Sequence, residues 1–173
     1  MSRPRPSRGK QLVDWSAALW AGWMAGAVFL GLNVVLTPLL VGGNAWVIVR
    51  LFASVVLGPG ILAPPATFHL GALVAALAVH FALSLLFALL VAYLLHRGGL
   101  IVGVVGGALF GLALYFINLY SLTYFFPWFF AMRSGVLVAT HVLFGAMAGG
   151  IYEALEVEEF ADGEDAAAEV PGA

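Results

Sequence analysis

The chain has 173 residues, of which 63% are hydrophobic and 9% charged, with a formal net charge of −2, a mean hydropathy of +1.05 and no cysteine. A water-soluble domain carries ionised side chains at roughly a quarter of its positions, so this composition excludes an ordinary soluble fold and points to a polytopic membrane protein. The lack of cysteine removes a disulfide framework, a thiolate metal site and lipid attachment through an N-terminal sulfur.

The charges gather at the two ends. From residue 15 to residue 152 there is no Asp, Glu or Lys, and only Arg50, Arg97 and Arg133 interrupt the stretch. Residues 1–14 form a basic tail holding Arg3, Arg5, Arg8 and Lys10. Residues 154–173 hold Glu156, Glu158, Glu159, Asp162, Glu164, Asp165 and Glu169, and read as a solvated, disordered acidic end. Basic charges beside a membrane span serve orientation, so no nucleic-acid partner is expected.

The first apolar run, 15–40, exceeds the about 7–15 residues of a signal-peptide core and is expected to be a retained span. Further spans are expected at 69–95, 99–122 and 134–153, each near the about 20 apolar residues a helix needs to cross hydrocarbon. The alternating pattern of a membrane barrel strand is missing, so the backbone must satisfy itself in helices. The expected fold is all-α: a transmembrane four-helix bundle over 15–153, with a short interfacial or re-entrant helix between the first and second spans. That extra segment, 46–57, is apolar apart from Arg50 and Ser54 and too short to span. It closes with Gly58-Pro59-Gly60 and Ala63-Pro64-Pro65, so it either lies in the interface or dips back into the bundle before a fixed turn.

An even span count puts the basic N-tail and the His96-Arg97-Gly98-Gly99 turn on one side. By the positive-inside rule that side is the cytoplasm of a bacterial inner membrane, and the acidic C-tail joins it. Trp15, Trp20 and Trp23 then mark the inner leaflet, and Trp46, Tyr120, Tyr124, Trp128 and Phe129 the outer one.

The two halves echo each other. Gly26-Ala27-Val28-Phe29 parallels Gly107-Ala108-Leu109-Phe110, and Ala78-Val79-His80 with Ser84 parallels Ala139-Thr140-His141 with Gly145. Trp46 with Arg50 likewise parallels Trp128 with Arg133. Two helical hairpins related by an axis along the membrane normal give such a pattern; coincidence of short matches is the alternative.

Gly103, Gly107 and Gly111 place a double small-residue spacing on the third span, and Gly22 with Gly26, and Gly145 with Gly149, repeat it once each. Such faces let helix backbones approach closely, either inside the bundle or across a homo-oligomer or larger membrane complex; packing inside the bundle is the expected use.

Polar groups at membrane depth are costly and therefore suspect. His80 and His141 fall at similar depth, and with Asn33, Asn118 and Ser84 they make a candidate polar centre. His80 has Ser84 and Asn33 as expected partners, and His141 has Asn118. Two inward imidazoles suit haem b ligation or proton relay, while helix-to-helix hydrogen bonding is the plainer use. Arg50 and Arg133, with His69 on the same helical face as His80, fall at the outer mouth. Without an acid nearby, each arginine must bond backbone carbonyls, lipid phosphates, a partner or an anionic ligand.

Enzyme chemistry finds no purchase. With no acid between residues 15 and 152 there is no Ser-His-acid set, paired-carboxylate centre or carboxylate metal site, and Gly42-Gly43-Asn44 is a turn rather than a phosphate cradle.

The run His80-Phe81-Ala82-Leu83-Ser84-Leu85-Leu86-Phe87-Ala88, followed by Tyr93, resembles small bacterial inner-membrane proteins of the YagU-like type. These carry a similar His-x-x-x-Ser-x-x-Phe-Ala run, a glycine-rich helix, a Pro-Trp element and a last helix with a Gly/His pair. The matching features would be Gly103 to Gly111, Pro127-Trp128, and His141 with Gly145, over about residues 75–150. The order of glycine and histidine differs in the last helix. The resemblance implies location and fold, and a loose tie to acid tolerance, more than an activity.

The expected function is that of a non-enzymatic inner-membrane protein, an accessory subunit or small solute- or proton-handling protein. Haem b electron transfer through His80 and His141, and a purely structural interaction role, are the alternatives.

Overall fold

The structure, a computed structural model, describes residues 11–157. The basic residues 3–10 and the acidic stretch from 158 onward, with the disorder expected there, lie outside the described residues.

The architecture is the expected one: four long apolar helices packed together and a short helix inserted after the first. Helix α1 is Trp15–Leu40, α2 is Ala45–Leu57, α3 is Leu70–Leu95, α4 is Gly99–Phe116 and α5 is Gly135–Leu155. Helices α1, α3 and α5, and α4 with its continuation to Tyr124, are long and apolar enough to cross a membrane, so this is a multi-pass membrane protein. Their outward faces are apolar too: Ile101 and Leu109 of α4 are 79% and 64% exposed, as a lipid-facing surface requires.

Each start has a local cause. Asp14 caps α1 by accepting from the Ala17 amide at 3.0 Å, and Asn44 caps α2 by accepting from Trp46 at 2.9 Å. Ser134 does the same for α5 with the Leu137 amide at 3.3 Å. His69 caps α3, its Nδ1 accepting from the Ala72 amide at 3.0 Å. Gly42, Gly43 and Gly58 take positive φ, which stops α1 and α2 sharply. Beyond Phe116, α4 widens into a π-helical turn, Ile117–Ser121, before the 3-10 turns Leu122–Tyr124 and Pro127–Met132.

Glycine decides which helices touch. A Cβ built at Gly107 would fall on the Gly145 carbonyl, one at Gly111 on the His141 carbonyl, and one at Gly149 on the Gly103 carbonyl, so α4 and α5 run backbone to backbone. On the α1–α3 pair, a Cβ at Gly26 would come within 2.8 Å of Ser84, and one at Gly22 within 3.0 Å of Ala88. All three small-residue faces are thus spent inside the chain.

The same contacts carry the internal repeat into three dimensions. Gly22 meets Ala88 as Gly103 meets Gly149, and Gly26 meets Ser84 as Gly107 meets Gly145. His80 and His141 each stand four residues before the inner contact, one helical turn along. The likeness stops between hairpins. Helix α1 packs along α5, but the equivalent pair, α3 and α4, barely touches.

Helix α2 does not splay away from the bundle. It packs along α3 with Ile48, Val49, Leu51, Ala53 and Ser54 buried, and its Phe52 ring reaches within 5.3 Å of the His80 ring. At the opposite end, the Asp14 amide donates to the buried Tyr152 hydroxyl at 3.4 Å, and the Asp14 carboxylate accepts from the Val157 amide at 3.2 Å. The start of α1 and the end of α5 therefore share one end of the bundle.

Candidate functional site: a cavity at the open seam

A cavity of about 270 Å³ lies where α3 and α4 stand apart. Helix α3 contributes Leu83 and Phe87, α4 and its π-turn Leu114 and Leu119, α2 Leu51 and Val55, and the 3-10 segment Phe126 and Phe129. Phe29 of α1 and Phe144 of α5 line its inner wall. The five residues of the expected polar centre, His80, His141, Asn33, Asn118 and Ser84, all border this one space.

Hydrogen-bond geometry assigns the imidazole protons. His80 Nε2 stands 2.8 Å from the Gly26 carbonyl of α1, and a carbonyl only accepts, so the proton is on Nε2. Ser84 Oγ is 3.5 Å from the same nitrogen. In the neutral ring the lone pair is left on Nδ1, which no hydrogen bond reaches among the described residues. His141 is the reverse. Its Nδ1 donates to the Leu137 carbonyl of its own helix at 2.7 Å, which leaves Nε2 to accept from Asn118 Nδ2 at 3.4 Å. Asn118 stands on the π-helical turn, a backbone irregularity that recurs at functional sites.

Asn33 takes a different partner from the one expected. It donates to the Phe29 carbonyl at 2.8 Å and accepts from Thr140 Oγ1 at 3.4 Å, so it joins α1 to α5 and leaves His80 to Gly26 and Ser84. Thr140 is a buried polar residue that the reading of the sequence passed over. Its position beside His141 on an inward helix face was the available signal.

Haem b does not fit this arrangement. The Phe29 ring packs against both imidazoles, stacked on His80 at 5.7 Å and edge-on to His141 at 4.9 Å. Both Nε2 atoms already face protein groups, and the cavity falls just below the about 300–1,000 Å³ that drug-sized ligands occupy. A macrocycle is larger still. Among the described residues no three His, Asp or Glu side chains converge to hold a metal ion.

The residues expected at the outer mouth, Arg50, Arg133 and His69, do not line the cavity. Arg50 donates to the carbonyls of Ile61 at 3.2 Å, Ala63 at 3.0 Å and Thr67 at 3.1 Å, which clamps the proline-rich exit of α2. Arg133 donates to the Leu119 carbonyl at 2.8 Å, and its guanidinium lies 3.7 Å from the Tyr120 ring centre and 4.0 Å from that of Phe130. Backbone carbonyls thus answer both arginines. His69 is exposed and acts as the α3 cap. One further link was not foreseen: Trp128 Nε1 donates to Ser54 Oγ at 2.8 Å and ties the Pro127–Met132 turn to α2.

No protein-family model, curated protein or solved structure matches this chain.

Proposed function

We propose that this is a non-enzymatic protein of the bacterial inner membrane, with both termini in the cytoplasm, that takes a small apolar molecule from the bilayer into the cavity at the α3–α4 seam. The observation that carries the reading is the cavity itself: an apolar space at membrane depth, bordered by a few convergent polar groups, beside the sparsely packed α3–α4 seam. Among the described residues no hydrogen bond joins the His80–Gly26 pair to the others, and the His141–Asn118 and Asn33–Thr140 pairs meet only at the Leu137 carbonyl, an acceptor that cannot pass on a proton, which favours solute binding over a proton relay. The resemblance to YagU-like proteins implies the location and adds no activity.

The test is photolabelling of the protein in nanodiscs with a small apolar diazirine, followed by mapping of the modified residues. Label is expected on Phe29 and Phe144, which line the cavity and are buried from lipid, and it falls in a Leu83→Trp variant that fills the space. Label confined to lipid-facing residues such as Ile101 and Leu109 overturns the proposal. An accessory-subunit role is the second reading, favoured by the same seam, which a partner helix would fill. A stoichiometric partner that co-purifies and blocks the label selects it.

A further inference from the structure

Among the polar atoms of the cavity wall, one imidazole nitrogen has no hydrogen-bond partner among the described residues. His80 is 4% exposed and borders the space, its Nε2 proton is committed to the Gly26 carbonyl, and its Nδ1 lone pair has no partner among the described residues. An acceptor beside a largely apolar space gains a hydrogen bond from any occupant that brings a proton donor, so the atom favours such an occupant. Across the cavity, Asn118 uses one N–H on His141 and keeps its other N–H and its carbonyl oxygen for a second polar contact.

Charge and size narrow the occupant. Lys, Arg, Asp and Glu are all missing from the cavity wall, so an ionised ligand would be left unpaired in an apolar surround. An apolar cavity of about 150 Å³ accommodates benzene. One of about 270 Å³ therefore has room for a substituted ring or a chain of similar bulk. Water alone is a poor filler, because a buried water needs about three polar partners and most of this wall is aliphatic or phenyl. The wall includes both α3 and α4, the helices that barely meet, so the approach is from the bilayer.

We infer that the cavity selects a neutral, membrane-dissolved alcohol or phenol, whose hydroxyl donates to Nδ1 of His80 while its apolar body fills the space beside Phe29, Phe87 and Phe144. This rests on the binding role proposed above and names the chemistry that the role requires.

The experiment is competition against the diazirine label on Phe144, in nanodiscs, at equal membrane concentrations of four compounds: 4-butylphenol, its methyl ether, 1-decanol and its methyl ether. In the wild-type protein at least one hydroxyl compound is expected to compete about fivefold more strongly than its ether, the yield of one net hydrogen bond. In His80→Phe that preference disappears. The stronger of the two hydroxyl compounds tells a ring alcohol from a chain alcohol. Equal competition by alcohol and ether, or a preference that survives in His80→Phe, overturns the inference and leaves the binding role standing. If Phe144 takes no label at all, both fall. The wild-type comparison decides by itself should His80→Phe fail to fold.

Discussion

Two imidazoles at equivalent places in the repeat carry their protons on different nitrogens, and the cause is the neighbour each one meets. Across from His80, the Gly26 carbonyl of α1 comes within reach of Nε2. Across from His141, the α4 backbone at Gly111 lies against the His141 carbonyl, and the ring bonds back to Leu137 of its own helix. Asp14 belongs to the same scale at the other end of the bundle. The Ala17 amide, and then the Val157 amide, hold its carboxyl below the ordinary aspartate value. A depressed carboxylate contributes stability that is fully present above the unfolded-state pKa and is lost as pH falls through the folded one. Amide exchange at Ala17 and Val157, corrected for intrinsic rates, is therefore expected to quicken only below that ordinary value. Asp14→Asn, which keeps an oxygen acceptor without the charge, should remove the pH dependence.

Among the elements, the α4–α5 pair is held by absence of side chains, and the consequence is measurable. Gly107→Ala places a methyl on the Gly145 carbonyl, where only backbone could yield, so a loss at or beyond the upper end of about 1–3 kcal/mol is expected in unfolding by denaturing detergent. Gly31→Ala, with nothing near its added carbon, is the control and should leave stability unchanged or slightly raised. Helix α2 depends on a different device. Trp128→Phe keeps an aromatic, though smaller, side chain and deletes the donor to Ser54 Oγ, while the Ser54 hydroxyl keeps its own bond to the Leu51 carbonyl at 2.6 Å. The expected cost is about 0.5–1.5 kcal/mol, read as faster amide exchange in α2 with α4 and α5 unaffected. Equal loosening of α4 and α5 would show that the link does not act locally.

For the whole molecule, the repeat explains why a cavity exists where it does. Two hairpins with the same internal ladder of small residues would close against each other at both seams if they were related by a strict two-fold axis. The first hairpin carries α2 and the second the 117–132 segment, and these two insertions meet through Trp128 and Ser54 at the end of the α3–α4 seam. Only the α1–α5 seam closes fully. The open seam and the unmet His80 nitrogen then fall in one place, which is why the labelling and competition experiments address the same space.

Much of this protein was legible in the order of its residues. The charge-poor interior, which from residue 15 to residue 152 holds three arginines and no Asp, Glu or Lys, points to helices immersed in lipid, because backbone polar groups there must pair within their own segment. Glycine spacing announced close helix pairs, since a missing Cβ is a local property of the chain. The histidines and asparagines drew notice because polar groups at that depth are costly. Partners were another matter. That Asn33 meets Thr140, that Phe29 packs on both imidazoles where haem b would have to sit, and that Arg50 and Arg133 find carbonyls are facts of helix rotation and insertion geometry. Helices that are apolar on every face carry no stripe from which rotation can be read, so only tertiary packing decided which side chains meet and where the bundle stays open.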